Sequence, residues 1–94
     1  MTETNIILEL VKARIGITSK VRDEYLEKII EGVKTELEKQ QGLSIDLDRP
    51  DILMFLVDYS TWRYQNRDSH DGMPRHIQFR LHNLVISSVK KNDE

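Results

Sequence analysis

The chain has 94 residues, of which 38% are hydrophobic and 32% are charged, and its formal net charge is −2. This composition fits one compact domain rather than a disordered chain. The charge gives no global reason for wrapping nucleic acid or lying on an anionic membrane. The absence of cysteine excludes disulfides and thiolate metal sites. The longest purely apolar run, residues 52–57, is too short for a bilayer span, so we expect no membrane partner.

The first predicted helix covers about residues 4–15. Its apolar residues recur three and four positions apart, which is the spacing of one helical face: Ile7, Leu10, Val11 and Ile15. Gly16 follows directly, where a glycine can adopt the left-handed backbone that ends a helix. We therefore expect a short amphipathic helix.

A second helix is predicted over residues 19–41. Thr18 or Ser19 can accept a hydrogen bond from its free amides, and Gly42 is expected to end it. Its apolar stripe consists of Leu26, Ile29, Ile30, Val33 and Leu37. The opposite side carries mainly glutamate and lysine and should face solvent. Gly32 lies mid-helix at a cost of about 1 kcal/mol relative to alanine, which indicates either a close helix approach or a tolerated loss.

The third predicted helix, residues 50–67, has more apolar surface than a helix with one buried face needs. Asp48 is expected to cap it, and Pro50 suits its first turn because the missing amide costs nothing there. One stripe consists of Leu53, Leu56, Val57, Ser60 and Tyr64, and the second of Ile52, Phe55, Tyr59 and Trp62. Either the chain covers this helix on both sides, or the second stripe is left for another subunit.

The fourth helix is predicted over residues 74–88. Residues 68–72 are typical of a turn, and Pro74 opens the helix. One side carries Ile77, Leu81, Leu84, Val85 and Ser88, whereas Phe79, Asn83 and Ile86 fall on the other side. The chain is thus predicted to be all-α, a four-helix single-domain bundle over residues 1–94 with short loops.

No pattern in the sequence points to catalysis or metal binding. Ser69, His70 and Asp71 have the side-chain types of a hydrolase triad, but consecutive residues point apart. His76 and His82 are separated by a rotation of about 240° around a helix and share no face. There is no His-Glu-x-x-His, EF-hand loop or glycine-rich phosphate loop. We expect no enzyme activity, no cofactor and no metal.

The C-terminal half is rich in arginine, with Arg49, Arg63, Arg67, Arg75 and Arg80. Arginine pairs with carboxylates and stacks on aromatic rings, so its concentration near tyrosine and tryptophan favours recognition. A solvated helix face is the alternative interpretation.

Residues 62–86, WRYQNRDSHDGMPRHIQFRLHNLVI, carry an ordered set of motifs. A helix ends in aromatic-Arg-Tyr, and an Asn-Arg turn, Gly-Met-Pro-Arg and a last helix with Gln-Phe-x-Leu-His-Asn-Leu follow. In this order the motifs resemble the head-tail connector proteins of long-tailed bacteriophages and of prophages in Gram-positive bacteria. Residues 10–17, LVKARIGI, followed by an acidic helix, are similar to the Leu-Lys-x-x-Leu-Gly-Ile opening of that family.

The resemblance implies a helical, structural virion assembly protein at the head-tail junction, assembled in the host bacterial cytoplasm. Such a protein forms a homo-oligomeric ring beneath the portal protein at the capsid vertex after DNA packaging. A tail or stopper protein docks on the ring, and contact with packaged DNA is non-specific. Ring assembly is expected to use the second stripe of the third helix. The predicted subunit or portal interface consists of Tyr59, Trp62, Arg63, Arg67, Arg75 and Phe79.

The alternative is a small DNA-binding protein of the packaging machinery, resembling a small terminase subunit. The segment 62–82 is rich in arginine and histidine, and its acidic residues are Asp68 and Asp71. A basic strip with aromatic residues is the pattern sought for DNA contact. The acidic balance of the whole chain and the lack of a tight turn between two short helices weigh against it.

Overall fold

The computed structural model describes residues 3–43, 45–68 and 72–92. Four α-helices follow one another along the chain: α1 (Glu3–Ile15), α2 (Asp23–Thr35), α3 (Pro50–Gln65) and α4 (Arg75–Asn92). A π-helical turn, Glu36–Gln40, continues α2. The described residues contain no strand, and the predicted all-α, four-helix fold is confirmed. Ser69, His70 and Asp71 lie outside the described residues, as does the side chain of Ser88.

Glycines end the first two helices as predicted. Gly16 has φ 88°, and the amides of Gly16 and Ile17 donate to the carbonyl of Lys12 at 2.8 and 3.0 Å. Gly42 has φ 70°, and the amide that follows it, from the buried Leu43, donates to the Leu37 carbonyl at 2.9 Å. The left-handed glycine backbone thus lets the chain reverse while the last carbonyls stay bonded.

The predicted caps of the second and third helices are wrong, and the second helix also begins later than predicted. The second helix begins at Asp23, because the hydroxyl of Ser19 accepts the amide of Val21 at 3.1 Å in a preceding turn and leaves no side-chain cap. Asp48 does not cap α3 either: the N-cap residue is Arg49, which makes no side-chain cap bond, and the Asp48 amide donates to Asp46 Oδ1 at 3.0 Å in the preceding turn. Pro50 does occupy the first turn of α3.

The third helix lies at the centre of the bundle. α1, α2 and α3 pack against one another, whereas the backbone of α4 approaches only α3 among the described helices. The chain itself covers both stripes of α3, with only Leu53 and Trp62 partly exposed, so the expectation that the second stripe remains free for another subunit is wrong. Phe55 is 0% and Tyr59 3% exposed. The physical reason is that the end of α2 covers Tyr59 through Glu36, while Arg80 of α4 lies over the Phe55 ring.

The predicted faces of α2 and α4 are confirmed where their side chains are described, whereas that of α1 is wrong in part, because Leu10 is 37% exposed and Leu8, outside the predicted stripe, is buried. Leu26, Ile30 and Val33 of α2 are buried. Gly32 lies on the exposed side of α2, where nothing stands within 4 Å of the position a Cβ would take, so its cost is tolerated rather than required by a neighbouring helix. No helix among the described residues is long and apolar enough to cross a membrane.

Candidate interaction surfaces

Tyr59 and Arg63 form a polar cluster with Glu36 that ties the end of α2 to α3. The Tyr59 hydroxyl donates to Glu36 Oε2 at 2.7 Å, and Arg63 Nη1 donates to Glu36 Oε1 at 3.1 Å and to Tyr59 Oη at 3.2 Å. Burial, and next the hydrogen bond to Glu36, raise the pKa of Tyr59 to about 12. Burial by itself would lower the pKa of Arg63, but the hydrogen bonds to Glu36 and Tyr59 outweigh it, so the pKa of Arg63 is raised overall. These polar groups are therefore engaged inside the chain.

Trp62 and Arg67 also make contacts within the fold. Trp62 stacks on Tyr59 with ring centroids 6.1 Å apart and an interplanar angle of 18°, and it packs partly buried against the core. The Arg67 guanidinium lies 4.5 Å from the Tyr64 ring centroid and donates to the Tyr64 carbonyl at 2.6 Å. Arg67 keeps an exposed surface, so it remains accessible at the end of α3. The predicted association of arginine with aromatic rings is present, but it joins residues of the same chain.

Asp58 connects α1 and α4 across the centre of the bundle, a role that the sequence analysis missed. Its carboxylate oxygens accept hydrogen bonds from Arg14 of α1 and from Arg80 Nη1 of α4, the latter at 2.6 Å. The Asp58 side chain is 19% exposed, whereas those of Arg14 and Arg80 are 51% and 41% exposed. A carboxylate within an otherwise apolar stretch of α3 was the sequence signal for such a bridge.

A second ion pair that the sequence analysis missed joins α1 to α2. Lys12 Nζ lies 2.7 Å from Asp23 Oδ1, and the side chain of Lys12 is 9% exposed. Because a lysine is almost never buried without a partner, Lys12 within the apolar pattern of α1 indicated an acceptor nearby.

An open groove runs between α3 and α4 beside Arg80, which bonds to Asp58. Its volume is about 490 Å³. The residues that line it are Pro50, Asp51, Met54, Arg80, Asn83, Leu84 and Ser87. Met54 is 45% exposed there. Within the part of the chain that the structure describes, no group of three or more histidine, aspartate or glutamate side chains is arranged to hold a metal ion.

The outward side of α4 carries Arg75, Phe79, His82 and Ile86, which we call the α4 strip. These residues follow one another at steps of four, three and four, so they lie on one line along the helix. Phe79 is 67% and Ile86 42% exposed, and Arg75 and His82 are exposed as well. α4 contains no acidic residue. Of the six residues predicted at an interface, the structure places Arg75 and Phe79 together on this surface.

No family model, no curated protein and no solved structure matches the chain. Its likeness to head-tail connectors therefore depends on the motifs in residues 10–17 and 62–86 alone.

Proposed function

We propose that the chain is a structural virion assembly protein, a head-tail connector that forms a ring beneath the portal protein at the capsid vertex. The ring carries the tail or stopper protein and touches packaged DNA without sequence preference. The chain acts at the head-tail junction of the virion after assembly in the cytoplasm of a host bacterium. This role requires no catalysis and no cofactor.

The α4 strip is the observation that carries this proposal. An assembly adaptor needs apolar and arginine side chains at its surface, because such residues dominate the energies of protein interfaces. Phe79 is 67% exposed although the fold buries the other phenylalanine, Phe55, completely. The segment 62–86 that resembles the connector family includes the whole strip. Sequence motif and exposed surface thus coincide.

Burial narrows the set of residues that we assign to this contact. Tyr59 has 3% of its surface exposed, and Arg63 is held by Glu36, so both act in folding. Arg75 and Phe79 are assigned to the contact with the portal or a second subunit. Arg67, which is exposed just after the end of α3, is also assigned to this contact.

Deletion of the gene in the phage or prophage that encodes the chain tests the proposal. We expect DNA-filled heads without tails, or heads that leak DNA, when particles are examined by electron microscopy. Phe79→Asp should reproduce this defect. Val21→Asp is the matched control, because Val21 is 88% exposed but lies in the loop before α2, away from the α4 strip. Normal infectious particles from the deletion strain would refute the proposal.

The second candidate, a small DNA-binding protein of the packaging machinery, is favoured by the absence of acidic residues from α4. Against it, Arg80 already bonds to Asp58, which leaves fewer cations for phosphates. A gel-shift titration with phage DNA at two salt concentrations separates the two functions. A DNA-binding protein shows tight binding with a steep salt dependence, whereas a connector shows weak binding.

A further inference from the structure

Opposite sides of the molecule carry opposite charge. α3 lies between α4 on one side and the α1 and α2 pair on the other. The α4 strip carries the positive charge of Arg75 and no acid. The far side, which we call the acidic face, carries glutamates that are exposed or half-buried: Glu9 of α1 and Glu24, Glu27 and Glu31 of α2. Lys28, whose Nζ lies 4.0 Å from Glu31 Oε1, and Lys34 are the bases on the same side of α2, and the glutamates outnumber them.

These two surfaces cannot meet within one chain. Among the described helices the backbone of α4 approaches only α3, and it approaches neither α1 nor α2, which carry the acidic face. Any contact between the α4 strip and an acidic face therefore joins two copies of the chain. Since each copy presents both surfaces, such a contact is heterologous, and it closes into a ring when the rotation between neighbours allows.

Both surfaces also offer apolar groups to bury. Phe79 and Ile86 alternate with Arg75 and His82 along the α4 strip, as in an interface with an apolar centre and a charged edge. On the other side, α1 exposes Ile6 and Leu10 next to Glu9, each of the two to 37%. Two α4 strips placed against each other would instead bring the positive Arg75 side chains of both copies to the same surface, which is unfavourable.

We propose that copies of this chain associate head to tail, with the α4 strip of one copy bound to the acidic face of the next. The inference rests on the proposed function, because it assigns the two surfaces through which the ring closes. The partner that the charges select is a second copy rather than a nucleic acid. A nucleic acid could bind the α4 strip but would be repelled by the acidic face.

Sedimentation velocity of the purified chain, at several concentrations and two ionic strengths, tests this contact with a charge exchange. The strip variant is Arg75→Glu with His82→Glu, and the acidic-face variant is Glu27→Lys with Glu31→Lys. Each variant alone should self-associate about tenfold more weakly than the wild-type chain, because attractive pairs become repulsive. An equimolar mixture should regain association, since every strip can then meet a face of opposite charge.

The control variant is Lys20→Glu with Lys39→Glu, which also reverses exposed bases but lies outside both surfaces. It should associate like the wild-type chain, and circular dichroism should show that all the variants are folded. The inference is overturned if neither variant weakens association, if the mixture fails to regain it, or if the wild-type chain stays monomeric at millimolar concentration and low salt. Weakening by the strip variant alone indicates an α4-to-α4 contact instead and also overturns the inference.

Failure of this inference is distinguishable from failure of the proposed function. Variants that associate normally while the deletion strain produces tailless particles remove the head-to-tail contact but keep the connector role. A deletion strain with normal particles removes the connector role, whatever the purified chain does in the centrifuge.

Discussion

Replacement of Trp62 by alanine should lower the stability of the monomer rather than act only on assembly. Trp62 is partly buried against the core and stacks on Tyr59 at a centroid distance of 6.1 Å. Complete burial of tryptophan would give a loss of about 3–5 kcal/mol, so partial burial gives roughly half of that. The lost ring stacking adds about 1 kcal/mol. We expect Trp62→Ala to reduce the free energy of unfolding by about 2.5–3.5 kcal/mol in total.

Urea unfolding followed by circular dichroism measures this change. Fluorescence is unsuitable because Trp62 is the single tryptophan of the chain. In a domain of this size the melting temperature should fall by about 10–28 °C. Phe79→Ala is the matched control: its ring is 67% exposed, and the substitution should change the free energy of unfolding by less than about 0.5 kcal/mol. If both variants are as stable as the wild-type chain, the assignment of Trp62 to the core is wrong.

Three further predictions concern the core, the ion bridge and the tyrosine cluster. Leu56→Ala and Ile30→Ala should each lower the free energy of unfolding by about 2–5 kcal/mol, because both side chains are almost completely buried. Unchanged urea midpoints would contradict their assignment to the core. Asp58→Asn should lower the free energy of unfolding by about 1–2 kcal/mol, because it removes the negative charge to which Arg14 of α1 and Arg80 of α4 both bond. A double-mutant cycle with Arg80→Met that shows no coupling energy would disprove the bridge. The pKa of Tyr59 is raised from 10 to about 12, so between these pH values the folded chain keeps the hydroxyl proton while the unfolded chain loses it. The free energy of unfolding should therefore be constant below about pH 10 and decline between about pH 10 and pH 12. The decline should not exceed about 1.4 kcal/mol per pH unit, and Tyr59→Phe should abolish it in alkaline urea titrations.

Most of the helical architecture could be predicted from local sequence, because the spacing of apolar residues and the backbone freedom of glycine act within a few positions of the chain. Gly16 and Gly42 end their helices as expected since no other residue type adopts positive φ so readily. Ser19 and Asp48 show the limit of such reasoning. Each can either cap a helix or bond within a turn, and the choice depends on the path of the loop around it.

The sequence by itself determined which residues of α3 are apolar, but only the tertiary structure decided what covers them. Two stripes on one helix are compatible with a central position in a monomer or with a subunit interface, because burial by the same chain and by a second chain requires the same side chains. The position of Glu36 and Arg80 over the second stripe resolved this choice and moved the exposed apolar surface to Phe79 and Ile86. The same holds for the charged residues. The sequence shows which positions are arginine or glutamate, but their placement on opposite sides of α3 depends on how helices distant in sequence pack together.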